Sequence, residues 1–521
     1  MRAADALART LDAQGTDVVF ALSGNQIMPI FDALLDTPIR VVHTRHEAAA
    51  GYMAEAHAQI SGKVGVALVT AGAGLGNAIS PLLTARASQT PLLLLSGDSP
   101  AASDGTGAFQ EMDQVAVTAS ITKLSRRITD AGTLEDEVLT ALDTARSGQP
   151  GPVHLSLPAD VLMADVAGLN GRVKQTAPGD PDVSDIVEAL ASARKPLILL
   201  GPELSPTRAR LDFSELGIPA IPMESPRGAK DPALGRFADA WQDADLVVAL
   251  GKPIDFTVRF GDRHAWPKAR WLTVHGDPAE VARARSNLGE RLTAGRDAAP
   301  REVAKALIER SADIPGRPEW LADVQALCAL RPDTMPGDDG IDSAQVSAAI
   351  AAFVARADQP IFISDGGEIG QWAQAFVSAP RRIVNGVSGA IGGGLCYALG
   401  AKAASPEASV IAVMGDGTAG FHLAEFETAV REDLPFVAII GNDRRWNAEH
   451  ELQRRTFGPD RLYACQLSGA RYDQAASALG GFGAHVTSAS DLEDAFMEAL
   501  KSGRPACVNV EIAGLPAPAF S

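Results

Sequence analysis

Met414-Gly415-Asp416-Gly417-Thr418 sets an acid between two glycines, and Gly441-Asn442-Asp443 supplies a second acid further along the chain. Hard divalent cations such as Mg²⁺ take oxygen ligands at about 2.1 Å, commonly one or two carboxylates with phosphate oxygens completing the shell. Two acids delivered to one place beside free backbone N–H groups would therefore clamp a metal-bound diphosphate. The flanking pattern says how they are delivered. Val410 to Met414 is a short apolar run with β-branched residues, which predicts a buried parallel strand, and Pro435 to Gly441 predicts another. Between them, Phe421 to Arg431 places Phe421, Leu423, Phe426 and Val430 roughly on one face of an amphipathic helix. Such a β-α-β unit brings both acids to neighbouring carboxyl ends of an open sheet, where ligands of α/β folds lie. The N–H groups of Gly417 and Thr418, opening the helix, face the same anion.

Three other stretches hold residues that could do chemistry. In Val41-Val42-His43-Thr44-Arg45-His46-Glu47, the acid falls where a strand gives way to an Ala-rich helix, a favourable first-turn charge on its own. Val69-Thr70-Ala71-Gly72-Ala73-Gly74-Leu75-Gly76-Asn77 has small residues after a strand, which let a ligand approach the backbone. Read alone it fits a plain phosphate or dinucleotide loop, but no clear acid-ended second strand follows at the dinucleotide distance. Asn385-Gly386-Val387-Ser388-Gly389-Ala390-Ile391-Gly392-Gly393-Gly394 is too Gly-rich for a stable strand and suits a loop against which a flat ring lies. Ser364-Asp365-Gly366-Gly367-Glu368 ends the strand PIFIS and could line the diphosphate end.

These residues need a scaffold, and 521 residues suffice for about three domains, each with its own core. From Met1 to about Asp165, and again from about Ile341 to Ser521, apolar strands alternate with helices, as does a middle segment from Asp185 to Ala312. The pattern predicts an α/β chain of three doubly wound parallel sheets, with boundaries at 1–165, 185–312 and 341–521. Strands are expected at Val18 to Leu22, Arg40 to His43, Val64 to Thr70, Leu92 to Ser96 and Val153 to Leu157 in the first segment. In the middle they are expected at Pro196 to Leu200, Asp245 to Leu250 and Arg270 to Val274. Val166 to Ser184 reads as a linker, and Asp313 to Asp342 as a second boundary with a helix at Glu319 to Leu330. A net charge of −18 and 5% aromatic residues argue against nucleic acid and acidic membrane as partners. Four scattered cysteines without zinc spacing suit reduced thiols of a cytoplasmic protein, and the amino-terminal helix is neither a signal peptide nor an anchor.

The glycine-aspartate-glycine turn followed by a closing Asn-Asp resembles the diphosphate motif of thiamine diphosphate (ThDP) enzymes, and Arg45-His46-Glu47-Ala48-Ala49-Ala50-Gly51 resembles their activating-glutamate segment. The resemblance covers essentially the whole chain. It implies that the outer domains are the pyrimidine-binding and diphosphate-binding domains, with ThDP and Mg²⁺ as cofactors. Asp416 and Asp443 would hold the metal with the backbone carbonyl of Arg445, and Gly415, Gly417 and Thr418 would cradle the diphosphate. The usual Asn is Asp443 here, which adds a charge but keeps an oxygen. Glu47 would sit against the aminopyrimidine, buried without a cationic partner so that its pKa stays high enough for proton sharing. Thr70, Gly74 and Asn77 would shape the pocket nearby, the Gly389 carbonyl would accept the exocyclic amine, and Ile391 would be the wedge that bends the cofactor.

Within the family, Gly107-Ala108-Phe109-Gln110-Glu111 and Ile121-Thr122-Lys123 are similar to segments of acetolactate synthases, and benzaldehyde lyase shares the glutamate segment. This implies a carbon–carbon lyase or carboligase acting on 2-oxo acids or 2-hydroxyketones through an enamine, with Gln110 reaching the active site. No adjacent His pair of the decarboxylase kind is present, and Asn25 and Gln26 stand where benzaldehyde lyase has a catalytic His. Asn25 with Gln110 would orient substrate oxygens. Alternatives are a 2-hydroxyacyl-CoA lyase or oxalyl-CoA decarboxylase-like enzyme, an oxidase or flavin-dependent dehydrogenase using the middle domain, and a non-catalytic paralogue. The middle segment lies where relatives bind FAD or ADP, but Gly251-Lys252-Pro253-Ile254-Asp255-Phe256 does not match the synthase pattern, so a structural domain is the expectation. Because the family's outer domains meet across a subunit interface, a homodimer or homotetramer is implied.

Overall fold

A computed structural model of the chain describes residues 1–168, 181–332 and 340–520. Three parallel sheets follow one another along it. The first holds β1 (Val18–Ala21), β2 (Arg40–His43), β3 (Gly65–Val69), β4 (Leu92–Asp98), β5 (Leu124–Arg127) and β6 (Pro152–Pro158), in the order β2-β1-β3-β4-β6-β5. The second holds β7 (Pro196–Leu200), β8 (Ala220–Pro222), β9 (Leu246–Leu250), β10 (Arg270–His275) and β11 (Leu292–Asp297), in the order β11-β10-β9-β7-β8. In the third, β12 (Ile361–Asp365), β13 (Arg381–Val384), β14 (Val410–Gly415), β15 (Val437–Asn442), β16 (Phe482–Val486) and β17 (Ala506–Glu511) run β13-β12-β14-β15-β17-β16. The first and third sheets thus share one topology. Strand order reverses between β1 and β3, between β7 and β9, and between β12 and β14, and at such a reversal the carboxyl edge opens into a crevice.

The expected α/β architecture of three doubly wound sheets is what forms, because its central strands are apolar on both faces. β4 and β7 are buried throughout, and β14 is buried up to Met414, each between helical layers. Edge strands were less visible in sequence: β5 and β11 are only partly buried, so their apolar signal is weak. The helix expected from Phe421 to Arg431 is a correction. A short turn of helix spans Asp416–Ala419 and the next begins only at Glu425, running to Arg431. Of the four residues of the expected stripe, Phe426 is in the core and Leu423 packs against it, whereas Phe421 and Val430 are 54% and 38% exposed. The passage Val166 to Ser184 lies largely outside the described residues, whereas the helix expected near Glu319 forms at Pro318–Ala329.

The first and third sheets share one hydrophobic cluster, in which Phe20, Val69 and Leu94 join Ile363, Met414 and Phe426. Its centre is the contact between the Ala-rich helix Glu47–Ser61 and the helix Gly394–Ala404, where a Cβ on Gly400 would lie 2.2 Å from the Met53 carbonyl. Glu55 is buried in that contact. Its carboxylate accepts hydrogen bonds from Ser88 Oγ at 2.6 Å, Tyr397 Oη at 2.7 Å and Thr84 Oγ1 at 2.8 Å. Burial pushes the Glu55 pKa up against these donors. Tyr397→Phe removes the donor supplied by the third domain and should lower unfolding stability by about 1–3 kcal/mol, read from urea denaturation. No helix among the described residues is long and apolar enough to cross a membrane.

Candidate active site

The site grows from the register of β14 and β15. Gly415 pairs with Gly441, so Asp416 leaves one strand and Asn442-Asp443 the next at the same sheet edge. The Asn442 side chain turns inward, donating to Ala470 O and Asn509 Oδ1, and Asp443 faces the crevice. Asp416 is 1% exposed. Its Oδ1 accepts from Gly417 N at 2.9 Å, whereas Oδ2 is buried with no partner. Burial pushes the Asp416 carboxyl up to about 6, and burial together with the Asp416 charge pushes Asp443 up to about 7. Arg445 Nε stands 3.9 Å from Asp443 Oδ2, too far for a hydrogen bond. Two adjoining buried carboxyls with an orphaned oxygen fit a divalent cation. Among the described residues no cluster of three or more Asp, Glu, His or Cys could hold a metal ion, so the remaining ligands would be main-chain carbonyls and the anion itself.

These acids open onto a cavity of about 460 Å³ that also takes in Gly415, Gly417, Thr418, Arg445, Gly389 and Ile391. Across the reversal, β12 ends in Asp365-Gly366-Gly367. Gly366 has φ +58, and a Cβ there would lie 2.8 Å from Thr418 Oγ1, so only glycine fits both strand ends. Asp365, wholly buried, pins the glycine-rich loop by accepting from Gly394 N at 2.6 Å, Asn385 Nδ2 at 2.7 Å and Gly392 N at 3.1 Å. That fixes the loop on both sides of Gly389 and Ile391. The Arg445 main chain bridges to Gln466 through Arg444 O and Trp446 N, not through its own carbonyl. Residues the sequence did not suggest also line the cavity: Arg227 and Phe256 from the central domain, and Trp446. Glu368, the last of the five residues read at the end of β12, keeps its Oε2 buried and unpartnered. The carboxyl-terminal segment runs past Asp443, where Arg445, Asn447 and Trp372 donate to the carbonyls of Gly514, Leu515 and Pro516.

The other predicted residues gather elsewhere, at the carboxyl edge of the first sheet, and do not line that cavity. Glu47 starts its helix half-buried, with Oε2 accepting from Asn77 Nδ2 at 2.9 Å, and Gly74 lies under its other oxygen. Thr70 Oγ1 donates to Gln26 Oε1 and Gln26 Nε2 to Gln110 Oε1, both at 2.6 Å. Gln110 holds φ +62, a left-handed conformation that non-glycine residues adopt at a cost and that clusters at functional sites. Asn25 is exposed at the rim, and Gln26 is the loop residue that meets Gln110.

Both metal-end carboxyls keep their protons above the ordinary value of 3.8. Between about pH 4 and 7 the folded metal-free chain therefore binds more protons than the unfolded one, and stability falls as pH rises through that window. Thermal unfolding in chelator should show Tm decreasing from pH 5 to 8, a divalent cation should remove part of the decrease, and Asp416→Asn should abolish the cation's effect. Asp365→Ala leaves three donors without their buried acceptor and should cost about 1–3 kcal/mol for each donor left unpaired, measured by chemical denaturation.

The chain matches two family models, "Thiamine pyrophosphate enzyme, N-terminal TPP binding domain" over residues 1–117 and "Thiamine pyrophosphate enzyme, C-terminal TPP binding domain" over residues 365–510. It is 30% identical over 546 residues to acetolactate synthase large subunit IlvG of Mycobacterium tuberculosis, covering 98% of this chain and 95% of that protein. It is 29% identical over 577 residues to 2-hydroxyacyl-CoA lyase 2 of Homo sapiens, covering 97% and 89% respectively. A probable acetolactate synthase large subunit of Methanocaldococcus jannaschii is 26% identical over 548 residues, covering 98% and 92%. Matching at both ends, and similar to such proteins along nearly its full length, the chain belongs to the thiamine pyrophosphate enzyme family.

Proposed function

We propose that the protein is a ThDP- and Mg²⁺-dependent carbon–carbon lyase or carboligase of acetolactate synthase or benzaldehyde lyase type, acting on 2-oxo acids or 2-hydroxyketones. In this reading residues 1–165 bind the aminopyrimidine, 341–521 bind the diphosphate, and 185–312 form the central domain. The observation that carries it is the buried pair Asp416 and Asp443 at the reversal of the third sheet, with one carboxylate oxygen unpartnered. These two carboxylates and the Arg445 carbonyl hold the metal, and the main chain of Gly415, Gly417 and Thr418 receives the diphosphate. Gly389 offers its carbonyl to the exocyclic amine while Ile391 supplies the wedge, both kept in place by Asp365.

ThDP, when bound, supplies a nucleophilic carbon and an electron sink for making and breaking bonds next to a carbonyl. Glu47 holds and releases a proton at the aminopyrimidine ring, with its Oε2 oriented by Asn77. Gln110 and Asn25 orient substrate oxygens, and Gln26 and Thr70 fix the Gln110 amide. Ile391 and Phe256 keep water from the reacting atoms. The cavity beside Asp416 takes in none of the Glu47 group, and in this reading two chains complete a site, Glu47 of one facing Asp416 of the other in a dimer or a pair of dimers. Phe109, beside Gln110 and 73% exposed, is then covered by the second chain.

The likeness to 2-hydroxyacyl-CoA lyase 2 favours a second reading, cleavage of a 2-hydroxyacyl thioester. Calorimetric titration of metal-stripped protein with ThDP tests the common core: wild type binds only with Mg²⁺ present, and Asp416→Ala does not bind. Glu47→Gln should bind the cofactor within a few-fold of wild type yet lose about 10² or more in turnover of pyruvate, benzoylformate or acyloins. A wild type that ignores ThDP in the presence of Mg²⁺ would sink both readings, and turnover of 2-hydroxyacyl-CoA but not of free 2-oxo acids would select the second.

A further inference from the structure

The reversal between β7 and β9 is where a doubly wound central domain would take a nucleotide. In this chain that crevice is filled from within. Gln89, just past the helix Ile79–Ala87 of the first domain, is 1% exposed and holds φ +55. Its Nε2 donates to the carbonyl of Gly251, the residue after β9, at 2.7 Å. Its Oε1 accepts from Glu203 N, just past β7, at 3.2 Å. One side-chain amide therefore spans the reversal and takes up the main-chain donor and acceptor that a phosphate or a base edge would use. Arg208, on the turn after β7, donates to the carbonyls of Ser88 and Gln89 and locks the segment down.

The neighbouring strand end is occupied in the same way. Past β10, Gly276 O accepts from Gln149 N at 3.1 Å, and Asp277 pairs with Arg86 at 2.8 Å. The approach leaves no space between the two domains here: a Cβ on Gly148 would lie 2.7 Å from Gly276 O, and one on Gly276 would lie 2.1 Å from Gln149 N. A nucleotide entering here would have to strip hydrogen bonds from buried groups of both domains, leaving donors and acceptors unpaired.

We infer that the central domain carries no FAD, ADP or other nucleotide, and that its carboxyl edge is the dock for the first domain, with the Gln89 amide standing where a ligand would bind. The inference is independent of the reading of the catalytic site, and it separates this chain from enzymes that anchor a second cofactor on that edge. The test titrates FAD and ADP separately into the full-length protein by calorimetry, with ThDP and Mg²⁺ titrated into the same preparation to report on the catalytic site by itself. No saturable binding of either nucleotide is expected up to about 1 mM. Hydrogen exchange of Gln89→Ala, and of the near-isosteric Gln89→Met in case the smaller side chain prevents folding, should show the Glu203 amide exchanging about tenfold or more faster than in wild type. Micromolar binding of FAD or ADP by the wild type, or a Glu203 amide no faster in the folded variants, would overturn the inference.

Discussion

Neighbouring parallel strands cannot be joined by a hairpin, so each connection must cross back over a face of the sheet before the next strand begins. Every strand therefore releases its following loop at one common edge. All of the chemistry-bearing residues depend on this constraint: Gln26 follows β1, Glu47 follows β2, Thr70 follows β3, and Asp365, Asp416 and Asp443 end or follow β12, β14 and β15. The same constraint gives the chain three crevices at three order reversals. One opens into the cavity beside Asp416 and Asp443, one gathers Gln26, Glu47 and Thr70, and one is bridged by a glutamine from the preceding domain. One kind of order reversal, used three times, thus serves two purposes.

Buried carboxyls show which purpose each place serves. A carboxylate removed from water must find donors or a cation, or else hold its proton. Glu55 has three hydroxyl donors, and Asp365 is met by two backbone N–H groups and an amide. Both are satisfied inside the protein and fasten one element to another. Asp416 receives one backbone N–H and keeps an oxygen with no partner, beside a second acid whose nearest cation is 3.9 Å away. The shortfall lies beside a cavity and next to a second acid.

The meeting of Asp416 and Asp443 at one sheet edge was legible because the apolar runs before Gly415 and Gly441 are adjacent in sequence to the acids, and register then follows from the sheet. What could not be read locally came from outside those windows. Phe421 and Val430 fit a helical stripe, but both are substantially exposed, and the helix begins only at Glu425. β5 and β11 sit at sheet edges, where half-exposed strands need few apolar residues. The tie between Gln26 and Gln110 joins residues 84 positions apart. Arg227 and Phe256 reach the cavity only because the central domain lies over it, and nothing next to them in sequence signals that. Gln89 is a single amide in a short connection, and its two partners lie more than 100 residues away.

The segment from Gly514 to Pro516 is gripped through its carbonyl oxygens by Arg445, Asn447 and Trp372, and Gly514 itself leaves room only for hydrogen, since a Cβ would fall 2.3 Å from Asp443 Oδ2. Recognition of this kind reads chain length and direction, not side-chain identity. Leu515 and Pro516 are thus free to vary in evolution so long as the spacing from β17 is kept, whereas an insertion of one residue would move every carbonyl out of step with its donor.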